Sequence, residues 1–332
     1  MLACESIRVT YGENRALDDV SLEVAGGDIV AVMGESGSGK TTLLRVISGL
    51  VRPNPGSVFW AGRNVTEDPV HVRGFGLMFQ DYALFPHLSV GGNVAFGLRM
   101  AGESVDQQRQ IVDRMLTLVG LAGYAGRAVA ELSGGEQQRV ALARTLAPAP
   151  AMVLLDEPLG ALDRARRDQL LSDMQHIFSS LGVTALYVTH DHHEAFAIAD
   201  QVVVLDSGRK VAHGSPTQLW QRPGHLAVAT LLGFPILRQV AVHDGVAVIG
   251  GVDVTVAQTD GDHNLALPPG SAQIAADGTI PVTVRARRFE DGIVKAVVNL
   301  DGAEIVAVAP AGTTLGPAML RIDTAALVAV AD

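Results

Sequence analysis

Cysteine is nearly absent: Cys4 is the only one in 332 residues. No intrachain disulfide can form, and a reducing compartment fits. Positive charge is also scarce, with 25 Lys and Arg against 35 Asp and Glu and a formal net charge of −10. Without a basic stripe to neutralise phosphates, that balance argues against nucleic acid as the main partner. Two short arginine groups, Arg164/Arg166/Arg167 and Arg285/Arg287/Arg288, read as solvated faces. Long apolar runs are missing as well. None reaches about 18 residues, so no segment is expected to span a bilayer, and the chain reads as cytosolic. What remains is a chain long enough for roughly two domains, each with a real core.

Against these absences one stretch stands out, Gly34-Glu35-Ser36-Gly37-Ser38-Gly39-Lys40-Thr41-Thr42. It fits G-x-x-x-x-G-K-[ST], follows the apolar run Ile29–Met33 and precedes the helical pattern Leu43–Ile47. Glycines let the backbone curl until successive N–H groups point at phosphate oxygens. The helix start adds positive potential, Lys40 can reach the β- and γ-phosphates, and Thr41 Oγ1 can ligate Mg²⁺. A Gly/Ser-rich turn with a stray lysine would lack the strand before and the helix after. The stretch predicts binding of a nucleoside triphosphate.

Along the chain, alternating runs at Ile7–Tyr11 and Asp19–Val24 predict a β layer before the phosphate loop. Tyr11 is there either as an exposed strand aromatic or as a flat surface for stacking a purine. Ser57–Trp60 and Phe75–Phe79 read as short strands, and Gln80 sits where the second runs into a loop stopped by Pro86. Ile111, Val112, Met115, Leu116 and Val119 have helical spacing. Ser133 is a natural N-cap for a helix through Leu146. Ala151–Leu155 is continuously apolar, as a doubly buried parallel strand requires, and ends in Asp156-Glu157. A helix around Asp168–Phe178 leads to the strand Thr184–Thr189, which ends at His190. Strands alternating with helices, with polar residues at their C-terminal ends, predict an α/β nucleotide-binding fold.

After about Pro235 the character changes to short β-like runs separated by Asp244-Gly245, Gly250-Gly251, Asp260-Gly261, Asp277-Gly278, Asp291-Gly292 and Asp301-Gly302. Asp-Gly favours tight hairpins because glycine accepts positive φ. A separate small all-β domain, barrel or sandwich, is expected.

The acidic pair invites a division of labour in which Asp156 holds Mg²⁺ through water and Glu157 polarises the attacking water. Such a pair can equally be a solvated turn, but the apolar strand before it and the phosphate loop upstream favour the site. Gln80 could orient the water or complete the metal shell, and His190 could hydrogen-bond the γ-phosphate. Either could also be an ordinary loop residue.

Taken in order, the phosphate loop, Gln80, Leu132-Ser133-Gly134-Gly135-Glu136-Gln137, Asp156-Glu157, Leu159–Asp163 and His190 resemble the nucleotide-binding subunits of ABC transporters over about residues 5–235. The resemblance implies a P-loop ATPase domain (1–237, with a helical subdomain over about 81–148) and a C-terminal regulatory β domain (238–332). That second domain resembles an oligosaccharide-binding-like module, and Met319–Asp323 resembles its closing strand. By the same resemblance Tyr11 stacks on adenine, Gln80 is the coupling-loop glutamine, Glu157 the catalytic base and His190 the switch histidine. Asp163 would cross to a partner subunit. Ser133, Gly134, Gly135 and Glu136 would complete the ATP site of a second copy, so the working form would be an ATP-sandwich dimer. ATP and Mg²⁺ are the implied cofactors. Asp191-His192-His193-Glu194-Ala195 departs from the family, which often has Gln-Glu at the two histidines.

The wording of Phe79–Val90 with Asn93–Leu98 is typical of importers for ferric iron, polyamines, sulfate and sugars. The short tail favours the iron, thiamine or polyamine branch. The segment is expected to meet integral-membrane permease subunits, with a solute-binding protein involved indirectly, at the cytoplasmic face of the plasma membrane. Two rivals are a soluble ABC ATPase acting on nucleic acid or the ribosome and an exporter ATPase. The first would show tandem cassettes or basic surface, and for the second the large β tail would be unusual.

Overall fold

In the computed structural model the described residues are 1–159, 164–290 and 292–331. They form two compact units, Met1–Pro216 and Thr217–Asp332. The strands of the first are β1 (Leu2–Tyr11), β2 (Asn14–Val24), β3 (Ile29–Met33), β4 (Ser57–Trp60), β5 (Arg63–Asn64), β6 (Phe75–Met78), β7 (Met152–Asp156), β8 (Ala185–Val188), β9 (Gln201–Asp206) and β10 (Arg209–Gly214). One sheet is antiparallel, in the order β2-β1-β4-β5. The other runs β10-β9-β3-β8-β7-β6, parallel from β9 to β6 with β10 antiparallel at one edge.

The period-2 geometry of strands explains why β3, β7 and β8 read as unbroken apolar runs. Val30, Val32, Leu154, Leu186 and Val188 face one cluster, shared with Leu2, Ile7 and Leu17 of the antiparallel sheet and with Leu43, Leu44 and Ile47 of the helix Lys40–Ser48. Val153, Leu155, Ala185 and Tyr187 face a second cluster on the other side. That cluster takes in Val90, Val94 and Leu98, Val112, Met115 and Leu116 of the helix Val105–Leu118, and Val140, Leu142 and Leu146 of the helix Gly134–Leu146. The helices between β6 and β7 thus share one core with the sheet. Among the described residues no helix is long and apolar enough to cross a membrane.

Two buried side chains serve this frame. Arg73 donates through Nη1 to Val46 O at 2.9 Å and Ile47 O at 2.7 Å, satisfying carbonyls at the end of the helix Lys40–Ser48. Cys4 is a free, buried thiol whose pKa burial pushes up to about 12, which leaves it an inert small hydrophobe.

The second unit contains β11 (Ile236–His243), β12 (Val246–Ile249), β13 (Val252–Thr255), β14 (Gly261–Ala266), β15 (Ala272–Ile274), β16 (Ile280–Glu290), β17 (Ile293–Leu300), β18 (Ala303–Ala309), β19 (Gly316–Ile322) and β20 (Val328–Val330). They make a five-stranded sheet, β13-β12-β11-β14-β20, and a closed barrel, β15-β18-β17-β16-β19. The all-β expectation holds, but as two sheets over one core rather than a single barrel or sandwich. Met319–Asp323 falls at a strand that closes the barrel by pairing with both β15 and β16, although it is not the last strand in the chain. It lies largely in β19 inside the barrel, and β20 follows, paired with β14 in the other sheet. Asp244-Gly245, Gly250-Gly251 and Asp301-Gly302 are two-residue hairpin turns. In each, both residues have positive φ, such as 52° and 71° at the first, as a type I′ turn requires. Asp260-Gly261 instead leads into β14, and Asp291 lies outside the described residues. The unit begins upstream of the change in composition, because Leu226 N donates to Ala331 O at 2.7 Å and Ala331 N to Gly224 O at 3.1 Å. Those bonds bind the segment around 224–231 to the far end of the β unit.

Candidate active site

Because β3, β7 and β8 are parallel neighbours, their C-terminal ends fall on one edge of the sheet, where open α/β sheets hold their ligands. β3 ends in the loop 34–39. Gly34 has φ 155°, and a Cβ there would lie 2.2 Å from Leu205 O and 2.4 Å from Ser38 Oγ. Gly39, φ 103°, caps the following helix, and a Cβ there would meet Ala16 O at 2.5 Å. No side chain fits at either position, so the backbone curls into a cradle that only glycine permits. Among the described residues, Ser38 Oγ is buried in that cradle without a hydrogen-bond partner. A hydroxyl placed this way is suited to donate to a phosphate oxygen held in the loop.

Lys40 crosses the loop, its Nζ donating to Gly34 O and Glu35 O at 2.8 Å each. Burial lowers its pKa, and the nearby charges of Glu157 and Asp156 partly offset that. Thr41 Oγ1 donates to Asp156 Oδ1 at 3.1 Å, so the loop helix and β7 meet through a hydroxyl and a carboxylate. Burial raises the Asp156 pKa; the Thr41 hydrogen bond opposes this and the Glu157 charge adds to it. The Gln80 side-chain amide reaches Glu157, the residue next to Asp156. Hydroxyl, carboxylate and amide oxygens make a hard-donor set of the kind Mg²⁺ takes.

Glu157 stands at the centre. Gln80 Nε2 donates to its Oε2 at 3.3 Å, and His190 Nδ1 lies 3.4 Å from its Oε1. The three residues come from the ends of three adjacent strands, β6, β7 and β8. Glu157 has φ 43°, a left-handed conformation unusual for a side-chain-bearing residue and held by its N–H donating to Val188 O at 3.0 Å. Strain of this kind gathers where a side chain must be aimed. The carboxylate is 22% exposed, enough to meet a water.

A family profile described as ABC transporter matches residues 17–160. The Fe(3+) ions import ATP-binding protein FbpC of Streptomyces coelicolor is 46% identical over 306 residues, 91% of this chain and 88% of that protein. The chain belongs to the ABC transporter ATP-binding family. It is an importer-type cassette, an ATPase that binds ATP. The sulfate/thiosulfate import ATP-binding protein CysA of Synechococcus elongatus is 41% identical over 277 residues, 83% of this chain and 78% of that one. Among solved structures, a dimeric ATP-binding cassette in a post-hydrolysis state with ADP and Pi is 29% identical. It superposes with a TM-score of 0.58 over 65% of this cassette and 99% of its own chain.

Other expected residues of the cassette stand apart from this cluster. Ser133 and Glu136 form a capping box: Ser133 N and Oγ both donate to Glu136 Oε2 at 2.8 Å, which lowers the Glu136 pKa. Ser133, Gly134 and Gly135 thus start the helix Gly134–Leu146 as the sequence predicts. Tyr11 closes β1, paired with Asn14 across the turn, and is 49% exposed. Asp163, Gly160, Ala161 and Leu162 lie outside the described residues.

Several supporting residues were not legible. Arg144 donates to Tyr82 O and Ala83 O at 2.7 Å each, tying the helix that begins at Ser133 to the loop after Gln80. Behind His190, buried Glu194 accepts from Thr189 Oγ1 at 2.7 Å and from the Tyr187 hydroxyl at 3.1 Å, while Thr189 Oγ1 accepts from Asp191 N. That braces the strand end carrying the histidine. The only sequence trace was a carboxylate three residues past the helix cap Asp191, which capping also explains.

Proposed function

We propose that this cassette hydrolyses ATP as one half of a dimer and energises import of ferric iron. The observation that carries the hydrolytic reading is Glu157 held between Gln80 and His190, beside the Thr41–Asp156 pair and the lysine-bearing loop. Glu157 acts as general base toward a water, Gln80 orients that water, and His190 holds the γ-phosphate side of the site. Thr41, Gln80 and Asp156 hold Mg²⁺, which when bound neutralises developing charge on the phosphoryl oxygens. Tyr11 stacks on the adenine, and residues 34–42 cradle the phosphates. Ser133–Glu136, with Asp163, complete the site of a second copy across an ATP sandwich. Ser133 would then turn its hydroxyl from Glu136 to a phosphate oxygen, a change that its exposure allows.

The iron assignment rests on the FbpC relatives, whose similarity runs through the second unit as well as the first. The segment Tyr82–Leu98 carries a half-exposed aromatic pair, Phe85 and Phe96, with ring centroids 4.5 Å apart and Arg144 over Phe85. Asn93 pins that loop by accepting from Phe85 N at 2.8 Å. A shaped, half-buried apolar feature suits docking on a membrane permease at the inner face of the plasma membrane. Residues 238–332 regulate the cycle. A deletion of the gene, complemented or not, tests the cargo: uptake of labelled ferric iron should be lost while sulfate uptake persists, and the opposite pattern refutes the assignment.

A further inference from the structure

The flank of the antiparallel sheet holds a cavity of about 640 Å³, lined chiefly by Arg8, Arg15, Arg209 and Lys210 with Asp18 and Asp19. Four cations around two carboxylates is a local excess of positive charge in a chain of net charge −10. Asp18 is the hub and is only 8% exposed. Its Oδ2 accepts from Arg209 Nε at 2.9 Å and Nη2 at 2.7 Å. Its Oδ1 takes Arg15 Nη1 at 3.1 Å and has Arg8 Nε at 3.6 Å. Arg8 Nη2 also lies 3.7 Å from Asp19 Oδ1. The Arg209 hydrogen bond, opposed by desolvation and helped by Arg15, holds the Asp18 pKa below its ordinary value, so the hub stays charged.

The buried Asp18 carboxylate needs a cationic partner, and Arg209 already supplies one through two hydrogen bonds. Gathering two further guanidinium groups on the same carboxylate sets like charges side by side. Each guanidinium has five N–H donors in a planar fork, and these contacts occupy a minority of them. Lys210 has no carboxylate partner among the described residues. Burial, and after it the Lys210 charge, hold the His213 pKa down. The surplus donors and the unpaired ammonium want an oxyanion with several oxygens, and guanidinium forks match phosphoryl groups well.

The cavity is wired to the phosphate loop but is not part of it. Asp18 N donates to Gly208 O at 2.8 Å, and Gly208 N donates to Ser38 O at 3.2 Å. Leu17, between the cavity residues Arg15 and Asp18, packs against Gly39 instead: a Cβ on Gly39 would lie 2.8 Å from Leu17 Cδ2. A shift of the hub would therefore reach the loop through two backbone hydrogen bonds and one tight contact.

We propose that this cavity is a second anion site, for a small phosphorylated molecule carrying at least two negative charges, and that its occupancy alters nucleotide affinity. The probe is inorganic pyrophosphate, titrated by calorimetry into the full-length protein already saturated with ADP and Mg²⁺, so that the phosphate loop is filled. One equivalent should bind, and more weakly as salt is added. Lys210→Glu and Arg209→Ala should each weaken it by at least about tenfold, the worth of one charge-assisted hydrogen bond. Lys210 has no ion pair to lose among the described residues, so its variant reports on the site even if Arg209→Ala loosens the hairpin. ADP affinity should differ with and without saturating pyrophosphate, as reciprocal coupling requires. Absence of saturable binding, equal affinity in both variants, or complete displacement of pyrophosphate by ADP overturns the proposal.

Discussion

Replacing Glu157 by Gln is the most informative single perturbation of this cassette. The side chain keeps its length and its left-handed backbone, since Gln and Glu share a Cβ and the φ of 43° is set by the Glu157 N–H bond to Val188. Its side chain sits partly in water, so the melting temperature should barely move; substitutions at such sites usually fall within about 0.5 kcal/mol. What is lost is the ability to take a proton. A positioned general base contributes about 10²- to 10⁴-fold, or about 3 to 5 kcal/mol of barrier. Turnover, read as phosphate release at saturating ATP, should fall by that factor. ATP binding should not weaken, because the variant removes a negative charge from beside the triphosphate. The variant should accumulate as an ATP-bound dimer on a sizing column. Wild-type turnover would refute the base assignment, and so would a loss of rate fully matched by a loss of ATP affinity.

Ser133→Arg should block turnover while the isolated chain still binds nucleotide, and mixing it with Lys40→Ala should restore at most one composite site per dimer; equal loss of ATP affinity in the monomer would argue against a role in trans. Asp156→Asn should cost activity yet raise the melting temperature of the nucleotide-free protein near neutral pH. Burial raises the folded-state pKa of Asp156 above 3.8, so its charged form is unfavourable in the fold and stability declines as pH rises through that range. The gain should vanish below about pH 4, where both states are protonated, and a variant less stable than wild type at pH 7 would contradict the argument. Phe85→Ser with Leu88→Ser should abolish transport with basal ATPase intact. A joint collapse of ATPase and melting temperature would make these residues core.

The sequence by itself determined the phosphate loop, because a cradle of backbone N–H groups needs glycine at fixed steps and those steps are written locally. It determined the buried parallel strands in the same way: a strand covered on both faces must be apolar throughout, as Ala151–Leu155 is. It also placed Asp156, Glu157 and His190 at strand ends. Only the tertiary structure decided which strand ends are neighbours. The order β3-β8-β7-β6 brings Gln80 and His190 to either side of one carboxylate, from positions 77 residues upstream and 33 downstream of Glu157. The same holds for Arg144 under the Gln80 loop, Glu194 behind His190 and the three arginines on Asp18. Each is an ordinary residue type in its own segment and gains its meaning only from the folded arrangement, as when Arg209 reaches Asp18 from 191 positions away and Arg144 reaches Tyr82 from 62. In the C-terminal unit the Asp-Gly turns marked hairpins but not closure. Whether strands joined by such turns form one sheet, two or a barrel depends on pairings such as β14 with β20 and β15 with β18, which no local pattern encodes.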